Sequence, residues 1–129
     1  MQFRRVLIIE DDASTAKLLA YVLGEAGYDV TTAESALGAI ALARQLRPDV
    51  ILLDLGLPYR SGASLLPEVK VDPATKHIPV IVVSALTPTL TAARAAQADA
   101  LVTKPFSPQA LLEIVDAVCG RVPVNGARP

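Results

Sequence analysis

Cysteine is almost missing from this 129-residue chain: Cys119 stands alone, which rules out an intramolecular disulfide and fits a reducing compartment. Histidine is as scarce. The single His77 has no His, Cys or acidic residue at ligand spacing and reads as a solvated loop residue. Long apolar runs are absent too. After Arg4 and Arg5 the stretch Val6 to Ile9 is too short for a signal-peptide core and far too short to span a bilayer. The expectation is a soluble, cytoplasmic protein without membrane contact. Neither sign of charge is in excess, with 12 Lys and Arg against 13 Asp and Glu, so electrostatics give no reason to expect direct nucleic-acid contact. There are no repeats and no low-complexity tract. What is present is apolar: 52% hydrophobic residues against 19% charged exclude a disordered chain, and the length suits one domain with a real core.

The apolar residues are patterned. Val6-Leu-Ile-Ile9, Val50-Ile-Leu-Leu53 and Val80-Ile-Val-Val83 are short runs with no polar residue on either face, as in strands buried on both sides of a parallel sheet. Tyr28 to Thr32 and Ala100 to Thr103 supply two further short strands. Between them the apolar spacing turns helical. Leu18, Leu19, Val22, Leu23 and Ala26 form one stripe, with Asp12 or Ser14 as N-cap and Gly27 at the left-handed C′ position. A second helix starts at Ser35, carries Ala36, Ala39, Ile40, Ala43 and Leu46, and closes at Arg47-Pro48. The third spans Ser61 to Lys70, with Leu65, Leu66 and Val69 apolar and Pro67 in or near its first turns. Asp72 to Pro79 is a polar loop. Thr89 to Ala98 is an Ala-rich short helix behind Pro88. Ser107-Pro108 forms the N-cap and N1 of a final helix bearing Leu111, Ile114, Val115 and Val118, ended by Gly120; Cys119 is a small core residue on its flank.

This βαβαβαβαβα alternation predicts an α/β fold, a doubly wound five-stranded parallel sheet of the flavodoxin-like (βα)5 type in the order 2-1-3-4-5. In such sheets ligands bind beyond the carboxyl ends of the strands. Those ends here carry Glu10 and Asp11, then Asp54 followed by the turn residues Gly56 and Pro58, then Ser84, then Lys104. Carboxylates gathered in one cleft repel unless a cation holds them, and hard oxygen ligands favour Mg²⁺. A lysine beside them supplies a point charge for phosphate and a serine a hydrogen bond. Together they describe a site where a carboxylate oxygen attacks phosphorus to give an acyl phosphate. Taken singly each residue has a plainer explanation: Asp54 as a turn residue, Asp12 as a helix cap, Ser84 as a strand end, Lys104 as a surface lysine. Their joint placement on four strand ends favours chemistry.

The same residues resemble a known family. Glu10-Asp11, Asp54 with Pro58, Ser84-Ala85 and Lys104-Pro105-Phe106 match, in order and spacing, the receiver domains of two-component response regulators, over Val6 to Val118. The resemblance implies that Asp54 is the phosphoacceptor for a histidine kinase or phosphotransfer protein. It implies that Asp11 and Asp54 bind Mg²⁺ directly, Gly56 through its backbone carbonyl and Glu10 through water. Ser84 would follow the phosphoryl group, Lys104 would pair with its oxygens, and the Lys104-Pro105 peptide would be cis. The receiver domain would occupy residues 1–121, with 122–129 a flexible tail too short for a DNA-binding module. Output would pass to a downstream effector protein or a fused effector domain, and the Asp72–Pro79 loop looks like those of stand-alone receivers and receivers fused to kinases or other enzymes. The sequence departs from the pattern at Leu101, where the family usually has Tyr or Phe three positions before the lysine.

Two other functions use related parts. A haloacid-dehalogenase-like phosphatase would also employ an Asp nucleophile, Mg²⁺, a Ser and a Lys on a parallel sheet. It requires a D-x-D pattern after the first strand, which Glu10-Asp11-Asp12 does not offer, and a cap domain for which there is no room. A pseudo-receiver, an interaction module without phosphoryl chemistry, would not need the acids, Ser84 and Lys104 together. The reading is therefore a signalling module and not a turnover enzyme.

Overall fold

The computed structural model describes residues 4–35, 38–54, 62–84 and 98–120, without the side chains of 54, 62–65 and 84. The strands are β1 (Arg5–Ile9), β2 (Asp29–Ala33), β3 (Val50–Asp54), β4 (Val80–Ser84) and β5 (Ala100–Thr103), and the described helices are α1 (Ala13–Glu25), α2 (Ala39–Leu46), α3 (Gly62–Val71) and α4 (Pro108–Cys119). The strands form one parallel sheet in the order β2-β1-β3-β4-β5, the order expected from the alternation.

The three unbroken apolar runs fill the middle of this sheet. Val6 to Ile9, Val50 to Leu53 and Val80 to Val83 are each at most 1% exposed. Because successive side chains on a strand alternate between faces, each run feeds two cores. Val6, Ile8, Val50, Leu52, Ile81 and Val83 pack with Leu19 and Leu23 of α1 and Leu111 and Val115 of α4. Leu7, Ile9, Ile51, Leu53, Val80 and Val82 pack on the other face with Ala39 and Ala43 of α2 and Leu66 and Val69 of α3. Truncating any of these leucines to Ala costs roughly 2–5 kcal/mol, lost transfer energy plus the cavity left behind.

Local signals set the ends of the helices. The Asp12 carboxylate caps α1 by accepting from the Thr15 backbone N–H at 3.0 Å and its hydroxyl at 2.5 Å. Gly27 follows the C-cap at φ 97°, the left-handed position that a residue with Cβ adopts only at a cost. Ser107 caps α4 by accepting from Ala110 N–H at 3.0 Å, Pro108 is its first residue, and Gly120 ends it at φ 74°.

Four expectations need correction. Leu18 is 49% exposed, because the inward stripe of α1 runs through Ala16, Leu19, Val22 and Leu23 and turns residue 18 away from it. α2 starts at Ala39 and not at Ser35: Gly38, left-handed at φ 80°, takes the N-cap position. The second strand is Asp29–Ala33, one residue later than Tyr28–Thr32; Tyr28 is instead buried in the core, its hydroxyl donating to Asp116. The third helix runs Gly62–Val71, one residue beyond the expected span, and Pro67 is exposed in its second turn. Val71, in turn, is exposed. The expected helix Thr89–Ala98, of which only Ala98 is described, and the tail 122–129 lie outside the described residues. His77 is exposed and Cys119 buried, as read from the sequence.

Candidate functional site

Register decides which residues meet at the carboxyl edge. Ile9 lies opposite Leu53, Asp54 opposite Val83, and Ser84 opposite Thr103. Glu10 therefore leaves β1 alongside the last residue of β3, Asp54, while Ser84 ends β4 and Lys104 follows β5 directly. The parallel sheet is what gathers them. All strands run one way, so their last residues share one edge although they are scattered over 95 residues of sequence.

Glu10 is only 1% exposed. A carboxylate so deeply placed keeps its charge only with donors or a cation beside it. Its Oε2 accepts from the Asp12 backbone N–H at 3.1 Å, and the Lys104 Nζ stands 3.8 Å from Oε1. Asp11, next in sequence, is exposed. Asp12 is committed elsewhere. Hydrogen bonds from the Thr15 hydroxyl and backbone N–H, helped by the Lys104 charge, hold its carboxyl below the usual aspartate value, against the smaller effect of its own burial. That matches its assignment as a cap.

The backbone of Asp54 and Ser84 is placed at the strand ends, but their side chains lie outside the described residues, as does Gly56. The Lys104-Pro105 peptide is cis, as the resemblance implied. Among the described residues no group of three metal-ligating side chains converges, and the third carboxylate of the expected set is that of Asp54. The donors that are described, Glu10 and Asp11, are hard oxygens of the kind Mg²⁺ takes and suit no softer metal. Leu101 is half-buried and packs on the core shared with α2 and α3.

Sequence reading missed the approach of Lys104 to Glu10, which it assigned to separate tasks. Their spacing of 94 positions carries no signal; only the strand order brings β1 and β5 within the reach of one lysine stem. It also missed a second charged cluster at the opposite edge, where Lys70 Nζ donates to Asp99 at 2.7 Å and to the Ile78 carbonyl at 3.1 Å.

Comparison with known proteins bears on this arrangement. The chain matches the family model of the response regulator receiver domain over residues 6–116. It is 34% identical over 128 residues to the DNA-binding response regulator MtrA of Mycolicibacterium paratuberculosis, covering 98% of this chain and 54% of that protein. It is 34% identical over 121 residues to the phosphate regulon transcriptional regulatory protein PhoB of Escherichia coli K12, covering 92% and 53%. The chain thus spans about half the length of the curated relatives it matches. Among solved structures, a putative response regulator from Chloroflexus aurantiacus superposes with a TM-score of 0.87 at 31% identity, covering 93% of this chain and 100% of that one. With its strand order, its acidic carboxyl edge and a family match over residues 6–116, this chain belongs to the response regulator receiver domains of two-component signalling.

Proposed function

We propose that Asp54 is the phosphoacceptor, taking a phosphoryl group from a phosphohistidine of a histidine kinase or phosphotransfer protein. A carboxylate oxygen of Asp54 forms the new P–O bond as the P–N bond to the donor imidazole breaks, and the imidazole leaves with the bonding pair. The residues suited to hold Mg²⁺ are Glu10, Asp11, Asp54 and the Gly56 carbonyl; the ion, when bound, supplies positive charge for the carboxylates and phosphoryl oxygens. Lys104 offers a point charge to the same oxygens and Ser84 a hydroxyl. The aspartate is consumed once per transfer, so the domain acts as a stoichiometric switch and not as a turnover enzyme.

The observation that carries this reading is the register, which sets the end of β3 next to a buried Glu10 whose carboxylate has Lys104 at 3.8 Å. No feature favours the phosphatase or the pseudo-receiver over it. The relatives named as a DNA-binding regulator and a transcriptional regulatory protein are about twice as long, which supports output through an effector domain or a separate effector protein. The balanced charge of this chain favours protein contacts over nucleic acid, and the setting is cytoplasmic. The test is incubation with acetyl phosphate and Mg²⁺. One hydroxylamine-labile phosphoryl adduct is expected on the wild type and none on Asp54→Asn. Equal labelling of the two proteins overturns the assignment.

A further inference from the structure

β5 is an edge strand with one neighbour, β4. Four residue pairs join them, from Ile81 opposite Ala100 to Ser84 opposite Thr103. The side chains of β5 fix that pairing less firmly than those of the central strands do. Val102 is 3% exposed, but Ala100 and Leu101 are half-buried and Thr103 is exposed. Register is strongly specified where a strand face is deeply buried and weakly where it is not, and a slip by one residue turns every side chain to the opposite face. Such a slip would carry Lys104 about 3.3 Å along the strand direction and reverse its facing.

What holds the register lies at the other end of the strand. The Asp99 N–H donates to the Val80 carbonyl at 2.8 Å, and the Asp99 carboxylate accepts from the Val80 N–H at 2.8 Å, so two bonds close around the starts of β4 and β5. The same carboxylate oxygen accepts from Lys70 Nζ at 2.7 Å, and Lys70 donates in addition to the Ile78 carbonyl at 3.1 Å. Lys70 belongs to the last turn of α3, whose Leu66 and Val69 are locked in the core. The clasp thus ties the start of the edge strand to a rigid helix and to the neighbouring strand at once. The Asp99 side chain is 45% exposed, so the ion pair contributes little to stability as such. Its effect is geometric.

We infer that Lys70 and Asp99 are positioning residues for Lys104: by fixing the start of β5 they set where its far end delivers that lysine. This rests on the reading that Lys104 acts on the phosphoryl group. The experiment measures the rate of phosphorylation by acetyl phosphate, and Mg²⁺ affinity, in the wild type, Asp99→Ala, Asp99→Asn, Lys104→Ala and the Asp99→Ala/Lys104→Ala double variant, each shown to be folded by circular dichroism. Asp99→Ala should slow the reaction about tenfold, the scale on which small misplacements of a reacting group act. Mg²⁺ affinity should be unchanged, since the carboxylates suited to it follow β1 or end β3. Asp99→Asn, which still accepts the Val80 N–H, should recover part of the rate, and the double variant should be no slower than Lys104→Ala. Additive slowing in the double variant, an equal loss of Mg²⁺ affinity, or a wild-type rate in Asp99→Ala overturns the inference. A wild-type rate in Lys104→Ala instead removes the reading of Lys104, and the inference with it. If Asp99→Ala does not fold, Lys70→Met, which keeps the apolar stem, carries the same double-variant comparison.

Discussion

The two edges of the sheet use the same residue types to opposite ends. At the amino edge acids are consumed by the fold: Asp49 accepts from the Arg5 N–H at 2.7 Å, Asp72 from Arg44 and the Ala74 N–H, and Asp99 from Lys70 and the Val80 N–H. Each holds a loop or a strand start to a neighbour. At the carboxyl edge, among the described residues, Asp12 is spent in that way on the cap of α1, and Glu10 accepts from the Asp12 N–H at 3.1 Å. Glu10 is buried with Lys104 at 3.8 Å, beyond hydrogen-bond length, and Asp11 is exposed. An acid saturated by donors stabilises the fold and has little left to offer a ligand. An exposed acid such as Asp11 can still present its oxygens to a ligand, which an acid locked into a clasp cannot.

The largest expected effect follows from this contrast. Removing an acid should act with opposite sign at the two edges. If Asp11 shares a cleft with Glu10 and Asp54, as proposed, Asp11→Ala should raise the melting temperature of the metal-free protein, while Asp99→Ala lowers it. If Mg²⁺ binds the native state alone, a hundredfold excess over its dissociation constant should stabilise the wild type by about 2.7 kcal/mol. Asp11→Ala should erase that gain and Asp99→Ala should keep it. Thermal melts with and without Mg²⁺ decide the matter, and a Mg²⁺ response surviving in Asp11→Ala would remove Asp11 from the ligand set.

How much of this was legible beforehand depends on the range of the interaction. The strands β1, β3 and β4 could be read because four apolar residues in a row with no polar face have few other uses. The caps at Asp12 and Ser107 and the turns at Gly27 and Gly120 are contacts within a few residues and were equally plain. Leu18 was misread because five apolar positions fit one helix face, of which only Leu19, Val22 and Leu23 are buried, with Ala16 beside them. The start of α2 was misread because a left-handed Gly38 competes with Ser35 as the stop between β2 and the helix, and sequence alone does not rank the two. The Lys70–Asp99 clasp and the meeting of Glu10 with Lys104 were illegible, since both depend on which strand lies next to which. At the carboxyl edge the strand ends were readable; the approach of Lys104 to Glu10 was not.

The next effect belongs to the amino edge and is local, closing over six residues at the end of α3. Thr75 is fully buried, and its hydroxyl donates to the Val69 carbonyl at 2.8 Å. The ordinary helical partner of that carbonyl would be the N–H of residue 73, which is proline and has none. Thr75 replaces the missing donor. Thr75→Val, nearly the same in shape, should cost about 1–2 kcal/mol by leaving the carbonyl without it. Denaturant melts at neutral pH would show this, and an unchanged midpoint would mean that the hydroxyl is dispensable. Mg²⁺ binding should not move.

Acid should expose the clasps in turn. The Asp72 carboxyl is held below the ordinary value of 3.8 by the hydrogen bond from Arg44, then by the Ala74 N–H and the Arg44 charge. For Asp99 burial is the largest influence and works upward, but the Lys70 and Val80 hydrogen bonds and the Lys70 charge outweigh it, so its carboxyl is lowered as well. A carboxyl depressed on folding adds stability that is present in full above its unfolded value and is lost as pH falls through the folded one. The melting temperature of the metal-free protein should therefore begin to fall near pH 3.8 and continue falling below it, with a shallower slope in Asp99→Asn. Identical slopes would show that the clasp carries no proton linkage.

The smallest expected effect concerns Leu101, which sits between the two edges on the strand that joins them. Phosphorylation of Asp54, as proposed, would place about −2 charge beside it, and Lys104 and Ser84 would close around the oxygens. The family resemblance implies that, with Tyr or Phe at this position, movement of the serine would open space for the ring to fill, and the surface of β5 would change with it. Leu101 is already half-buried against the α2 and α3 core, and it has no ring to bring in and no hydroxyl to relocate. A ligand shifts a two-state equilibrium only by its differential affinity for the two states, and here the states differ by less packing. Hydrogen exchange with and without beryllofluoride should show small changes along β5 and α4, with Leu101→Tyr enlarging them. Strong protection changes across β5 and α4 in the wild type would mean that a leucine relays the switch as well as an aromatic ring does.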